Sequence, residues 1–189
     1  ARPVCSLCCA VVCTLGVATS LVLGGVRCVY GTGVRSGSCV APLHHPARIA
    51  EEWAVIDNLT AGRAGIGFAS GWQPDDFVLR PENTPPANKP AMYETIRTLR
   101  ALWSGEAVDF PRADGTAHAV VTQPRPVSEK LPIWVTTAGN PQTWKEAGEI
   151  GANVLTHLLG QSVEEVADKI EIYHSALRGA GHGMSLIHS

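Results

Sequence analysis

Four times between Ser38 and Leu177 a short apolar run gives way to a helix signal, and this alternation restricts the fold more than any other feature. The runs are Ser38–Leu43, Ala64–Ala69, Ile133–Thr137 and Ala152–His157. Ile49, Trp53 and Ile56 follow the first at helical spacing, and Met92, Ile96, Leu99 and Trp103 follow the second. A helix over Pro141–Ile150 follows the third, and the stripe Val163, Val166, Ile170, Tyr173 and Leu177 follows the fourth. Repeated strand and helix predicts a parallel sheet with right-handed crossovers. Local punctuation agrees: Pro46 suits a first helical turn, Gly62 and Gly105 suit helix ends, and Ser162-Val163-Glu164-Glu165 reads as a capping box. Two stretches interrupt the pattern. Gln73–Pro90 is irregular and proline-rich, and 107–122 reads as a hairpin turning at Asp114-Gly115, with strands Ala107–Phe110 and Ala117–Thr122. No repeat or low-complexity tract divides the organised part.

With 189 residues, 45% hydrophobic and 17% charged, the chain has the composition of a globular domain. A net charge of −2 gives no electrostatic case for nucleic acid. These averages conceal a break. All six cysteines (Cys5, Cys8, Cys9, Cys13, Cys28, Cys39) lie in the first 39 residues, and the first acid is Glu51. Residues 1–50 carry four arginines and no acid; the remainder carries 11 basic and 17 acidic side chains. Val4–Val26 is apolar and uncharged, resembling a membrane anchor or signal core, although cysteine is too frequent and Arg2 is the sole basic flank. Cys5, Cys8 and Cys9 with Cys13 lack the second knuckle of a four-cysteine zinc site, so no metal is expected. The cysteine-free remainder reads as a cytoplasmic enzyme. Residues 1–34 are therefore expected to be an atypical segment without recognisable chemistry.

In parallel α/β folds ligands collect where strands end and helices begin. Thr136-Thr137-Ala138-Gly139-Asn140-Pro141 offers hydroxyls, small residues and free backbone N–H groups there. Asn140 suits an N-cap and Pro141 a first helical residue, so this helix start is a candidate anion site, with a plain cap as the structural alternative. Ala69-Ser70-Gly71-Trp72 adds a hydroxyl, a flexible glycine and a stacking ring at another strand end. Nucleotide fingerprints fail: no GxxxxGK[ST] exists, and Gly31-Thr32-Gly33 is followed by Ser36 where the dinucleotide pattern needs Gly or Ala. His44 and His45 are the candidate catalytic side chains, but neighbours on a strand point to opposite faces, so one lines a pocket at most. His157 ends a strand and is a weaker candidate. No triad, HExxH or paired-carboxylate site is readable.

The motifs at these loops, HHPxRxAEEWxxxDNLxxGR (His44–Arg63), FASGWxPDDF (Phe68–Phe77) and TxAGNPxT (Thr136–Thr143), closely resemble the bacterial luciferase-like monooxygenases. The likeness spans about residues 35–182, with 183–189 a short tail. It is nearest to the branch found with nonribosomal peptide and polyketide biosynthesis. The resemblance implies a TIM barrel, a non-covalent FMN reduced by a separate flavin reductase, and oxygen activation on a small organic or carrier-bound substrate. It also implies a setting in secondary metabolism beside a modular synthase, with a homo-oligomer left open. By position it puts Ser70 at the FMN phosphate and Thr137, Gly139, Asn140 and Thr143 on the phosphate-binding loop and helix start. Gly37 and Ser38 would lie beside the flavin ring, and Ala69 near its reactive face. The cofactor carries the oxygen chemistry, which accounts for the missing triad.

A complete barrel of this type needs about 250 residues, so the chain is expected to hold roughly four of eight strand–helix units. The lost ends suggest a truncated or frame-disrupted member. Two rivals follow: a non-catalytic remnant of such an enzyme, or a deazaflavin-dependent oxidoreductase of the same fold. A protein anchored in the membrane through residues 4–26 is the third.

Overall fold

A computed structural model of the chain describes residues 33–183, together with the backbone of three short N-terminal strands. The elements are β1 (Val11–Cys13), β2 (Ser20–Val22), β3 (Gly25–Arg27), β4 (Val34–Ser36), β5 (Cys39–Val40), α1 (Pro46–Leu59) and β6 (Ala64–Ala69). They continue as α2 (Asn88–Ser104), β7 (Val108–Pro111), β8 (Ala117–Val120), β9 (Ile133–Thr136), α3 (Pro141–Glu149), β10 (Asn153–Leu155) and α4 (Val163–Gly179). The cysteine cluster and the apolar stretch 4–26 otherwise lie outside the described residues. Among the described residues no helix is long and apolar enough to cross a membrane, and no metal-ligating cluster occurs.

The chain divides into two compact units: Ala1–Ser38, Gly65–Ala69 and Pro132–Ser189 form one, and Cys39–Ala64 and Ser70–Leu131 the other. In the first, the strand order is β1-β4-β6-β9-β10. β6, β9 and β10 run parallel as expected, with Ile66 beside Ile133, Gly67 beside Trp134, and Trp134 beside Asn153. β1 instead runs antiparallel to β4, pairing Val11 with Ser36. The register separates two faces, because paired residues share a face and neighbours alternate. Ile66, Phe68, Ile133 and Val135 form the fully buried face. Gly65, Gly67, Ala69, Trp134, Thr136 and Asn153 form the other.

Behind β9 and β10, α3 and α4 pack closely. Gly148 makes this possible, since a Cβ there would meet the Tyr173 carbonyl oxygen at 2.7 Å and the Ala176 Cβ at 2.9 Å. Trp144, Ala147, Tyr173 and Leu177 are buried around it. The capping box of α4 is present: Ser162 Oγ accepts from Glu165 N–H, and Glu165 accepts from Ser162 N–H at 2.8 Å. Val163 departs from the expected stripe, being 65% exposed in the first turn, whereas Lys169 is buried and donates to Gln161 Oε1 at 2.8 Å.

The second unit pairs α1 with α2, burying Ile49, Trp53, Met92, Ile96, Leu99 and Trp103. Gly105 closes α2 at φ +93°, and the Arg125 guanidinium donates to the carbonyls of Leu102, at 2.8 Å, and Trp103. That placement satisfies carbonyls a helix end leaves open and sets a cation against its negative pole. Asp57 is fully buried; its Oδ2 accepts from Val127 N–H (2.9 Å), Ser128 N–H (2.8 Å) and Ser128 Oγ–H (2.9 Å). The expected strand Ser38–Leu43 is shorter than its apolar run. Only Cys39–Val40 is extended, and Ala41–Leu43 turns into a 3-10 helix because Pro42 fixes φ and has no N–H to give a ladder. The hairpin forms as expected, with Gly115 at φ +82° and Asp114 accepting from both Thr116 N–H (2.9 Å) and Oγ–H (2.6 Å).

Two substitutions test this packing. Asp57→Ala leaves three partly buried donors without their acceptor and is expected to cost about 2 kcal/mol, read as a lower urea midpoint at unchanged m-value. Glycine to alanine in an open helix gains about 1 kcal/mol, but Gly148→Ala is expected to lose about 1–3 kcal/mol by overpacking against α4, measured the same way.

Candidate functional site

The first unit gathers its polar residues where β4, β6 and β9 end. β9 leads into α3 through Thr137-Ala138-Gly139-Asn140. Asn140 caps the helix as the sequence predicts: its Oδ1 accepts from Gln142 N–H at 3.0 Å, with Pro141 in the first turn. The cap itself takes up the first helical donors, since Thr143 N–H also bonds Asn140 C=O at 3.1 Å and Pro141 has none. The amides of residues 138, 139 and 140 have no partner among the described residues. The available donors are therefore in the loop that enters α3 rather than in its first turn. The loop is held on both sides: Thr137 N–H bonds Leu155 C=O at the end of β10 (3.0 Å), and Trp144 Nε1–H bonds Ala138 C=O (3.2 Å). Thr137 and Thr143 are buried beside it, and a Cβ on Gly139 would meet nothing within 4 Å.

On the half-open face of the same sheet, Ser38 Oγ and Thr136 Oγ1 share a hydrogen bond of 3.0 Å. Ser36 Oγ accepts from Gly67 N–H at 2.8 Å and is itself buried. Gly67 has to be glycine, because a Cβ there would lie 2.9 Å from the Gly37 carbonyl oxygen. Gly37, Ser38, Ala69, Thr137, Gly139, Asn140 and Thr143 thus belong to one unit, around neighbouring strand ends. A cavity of about 160 Å³ lies in this unit, lined by Trp134, Trp144, Asn153, Thr156 and Tyr173 among others. A drug-sized ligand needs roughly 300 Å³ or more, so this cavity is not a flavin-sized pocket.

Ser70 lies in the second unit, directly after β6. Beside it Gly71 adopts φ +81°, and a Cβ there would press on Val40 Cγ1 at 2.9 Å and Phe77 Cζ at 3.0 Å. Its carbonyl accepts from Asn88 Nδ2 at 3.0 Å, while the Trp72 ring is 85% exposed. The histidines differ from expectation. Neither is on a strand: His44 follows the 3-10 turn, and His45 is the N-cap of α1, its Nδ1 accepting from Ala47 N–H at 3.3 Å with its ring 4.8 Å from that of Phe110. The turn at Pro42 removes the alternating faces on which the pocket argument rested. His157 Nδ1 likewise accepts from a local amide, Leu159 N–H at 3.1 Å. Cys39 offers no nucleophile: burial first, and Glu52 second, push its thiol up to about 11.

Sequence reasoning missed Arg35, whose guanidinium carbon sits 4.2 Å from the Trp134 ring centroid. Its neighbour in sequence Ser36 was missed too. Short apolar runs with glycine at alternate positions, as in AGIGFA, are the signal that something crosses over a strand.

A family model described as luciferase-like monooxygenase matches residues 32–188. This chain belongs to the luciferase-like monooxygenase family. The match begins three residues before the 35–182 span and runs six beyond it. The oxygenase component of a flavin-dependent trigonelline monooxygenase from Acinetobacter baylyi is 30% identical over 148 residues, 75% of this chain and 39% of that protein. An F420-dependent glucose-6-phosphate dehydrogenase from Kineococcus radiotolerans is 32% identical over 111 residues, 57% of this chain and 32% of that protein. Among solved structures, monooxygenase RslO1 from Streptomyces bottropensis superimposes with a TM-score of 0.69 at 26% identity, covering 80% of this chain and 46% of that one. The fold is thus part of a luciferase-like TIM barrel, and the chain spans less than half the length of these relatives.

Asn140→Ala removes the cap of α3. The expected loss is about 1 kcal/mol of stability, seen as a lower thermal midpoint, with the remainder of the circular dichroism spectrum retained.

Proposed function

We propose that this chain forms the FMN-binding part of a two-component monooxygenase. In this reading the enzyme takes reduced FMN from a separate flavin reductase and uses O2 on a small organic or carrier-bound substrate in the cytoplasm, in secondary metabolism. The observation that carries the reading is the loop entering α3. Three consecutive unpartnered amides and the hydroxyls of Thr137 and Thr143 fit a phosphate, whose oxygens accept such donors at helix starts. Gly37, Ser38 and Ala69 flank the ring, where small side chains leave room for a planar system. Bound reduced flavin supplies the electrons and the oxygen chemistry.

The chain's own residues bind, orient and exclude water. The Asn140 cap fixes the direction in which the loop amides point. Gly67 lets the Gly37 carbonyl close over β6, and the Ser38–Thr136 pair fixes the height at which a ring meets the sheet. No residue serves as nucleophile, in keeping with the half-buried, high-pKa thiol of Cys39. The likeness to an F420-dependent dehydrogenase supports a second reading, in which a deazaflavin takes the same place.

Fluorescence titrations of the full chain with FMN, riboflavin and F420 separate these. FMN is expected to bind saturably and at least about tenfold tighter than riboflavin, reflecting its phosphate, with Thr137→Val narrowing the gap. Equal affinity for FMN and riboflavin overturns the phosphate assignment. F420 binding without FMN binding favours the second reading, and no binding of any of them marks a non-catalytic remnant.

A further inference from the structure

The cavity of about 160 Å³ in the first unit lies where β9 and β10 meet α3 and α4. β9 contributes Trp134, α3 contributes Trp144, β10 contributes Val154, and α4 contributes Val166, Ile170 and Tyr173. All four elements belong to the first unit, and Gly148 lets α3 and α4 pack directly on each other, so one packed layer makes these walls. Trp144 and Tyr173 are buried and the others are half-buried; none is open surface. Packed interiors hold few voids larger than a water molecule, because atoms that face empty space lose their dispersion contacts. A guest of the right size restores them.

The walls decide what that guest is. A buried water needs two to four polar partners, and the polar side chains here already have theirs. Trp144 Nε1–H donates to Ala138 C=O at 3.2 Å, and Tyr173 O–H donates to Ala152 C=O at 3.1 Å. Asn153 Nδ2–H donates to Ile133 C=O at 3.2 Å, and Thr156 Oγ1 accepts from Gln161 Nε2–H at 3.0 Å. No residue that lines the cavity is charged, so an ion entering it would give up its hydration without compensation. What the walls offer is aliphatic surface from Val154, Val166 and Ile170 and the rings of Trp134, Trp144 and Tyr173. Aromatic rings gain from offset or edge-to-face contact with another ring, and a dry apolar cavity of about 150 Å³ is large enough for benzene.

We propose that this cavity is a binding site for a small, uncharged, single-ring aromatic molecule, held by the three aromatic walls and the aliphatic side of α4. The site is separate in chemistry from the loop that enters α3, which offers donors to an anion. It goes beyond the monooxygenase reading and does not depend on it.

The test is calorimetric titration of the full chain with benzene and with benzoate, and the thermal midpoint is followed in parallel. Benzene is expected to bind saturably and at least about tenfold tighter than benzoate, whose carboxylate would be buried without a partner. The midpoint is expected to rise with benzene concentration, as binding to the folded state requires. Val166→Phe places a ring in the space from α4 and is expected to abolish benzene binding. No saturable binding of benzene, equal affinity for benzoate, or unchanged benzene affinity in a folded Val166→Phe variant overturns the assignment. If Val166→Phe does not fold, Ile170→Ala decides. It enlarges the cavity, so naphthalene is expected to bind it at least about tenfold tighter than the parent chain, and unchanged naphthalene affinity refutes the proposal. A chain that binds benzene in this way but no FMN supports this inference and removes the cofactor reading instead.

Discussion

The middle strand β6 carries no side chain at two positions, and the polar face of the sheet depends on that vacancy. At Gly65 it lets Arg35 and Trp134 meet across the strand; at Gly67 it admits the Gly37 carbonyl, which would lie 2.9 Å from any Cβ. Glycine is costly inside a strand because it loses more entropy on ordering and contributes no packing. The opposite face compensates, with Ile66, Phe68, Ile133 and Val135 all buried. One face supplies cohesion, and on the other the glycines make room for the Trp134 ring and the Gly37 carbonyl.

The elements legible in the sequence are those set by local chemistry. Pro46, Gly105 and Ser162-to-Glu165 mark helix ends because caps and stops act within one turn, and the structure has them. Ala64–Ala69 is legible as a strand for the same reason: its length and composition suit nothing else. Ser38–Leu43 misleads because apolar composition does not distinguish an extended chain from a proline-directed turn. The two histidines inherit that error. Val163 misleads because a helix stripe says which residues share a side but not how far a neighbouring element reaches along it.

The site shows the same division. Asn140 is readable as a cap from one residue and its neighbours, whereas the consequence, that the cap occupies the first donors and moves the free amides to residues 138–140, needs the hydrogen bonds themselves. The stacking of Arg35 on Trp134 was not readable either, because it depends on which strands lie side by side. Asp57 was likewise hidden: its three donors come from residues 127 and 128, about 70 positions away. Long-range partnership leaves no trace in spacing. The family motif around Asp57 marks the position without giving its reason.

The Asn140 cap has a kinetic meaning as well. A helix whose first turn is satisfied by its own cap needs no ligand to stay folded, so α3 stands ready whether or not an anion is present. Binding then meets a rigid, prepared surface, with little ordering entropy left to lose. Under the proposed reading, exchange of one cofactor molecule for the next would then need no folding step at this helix.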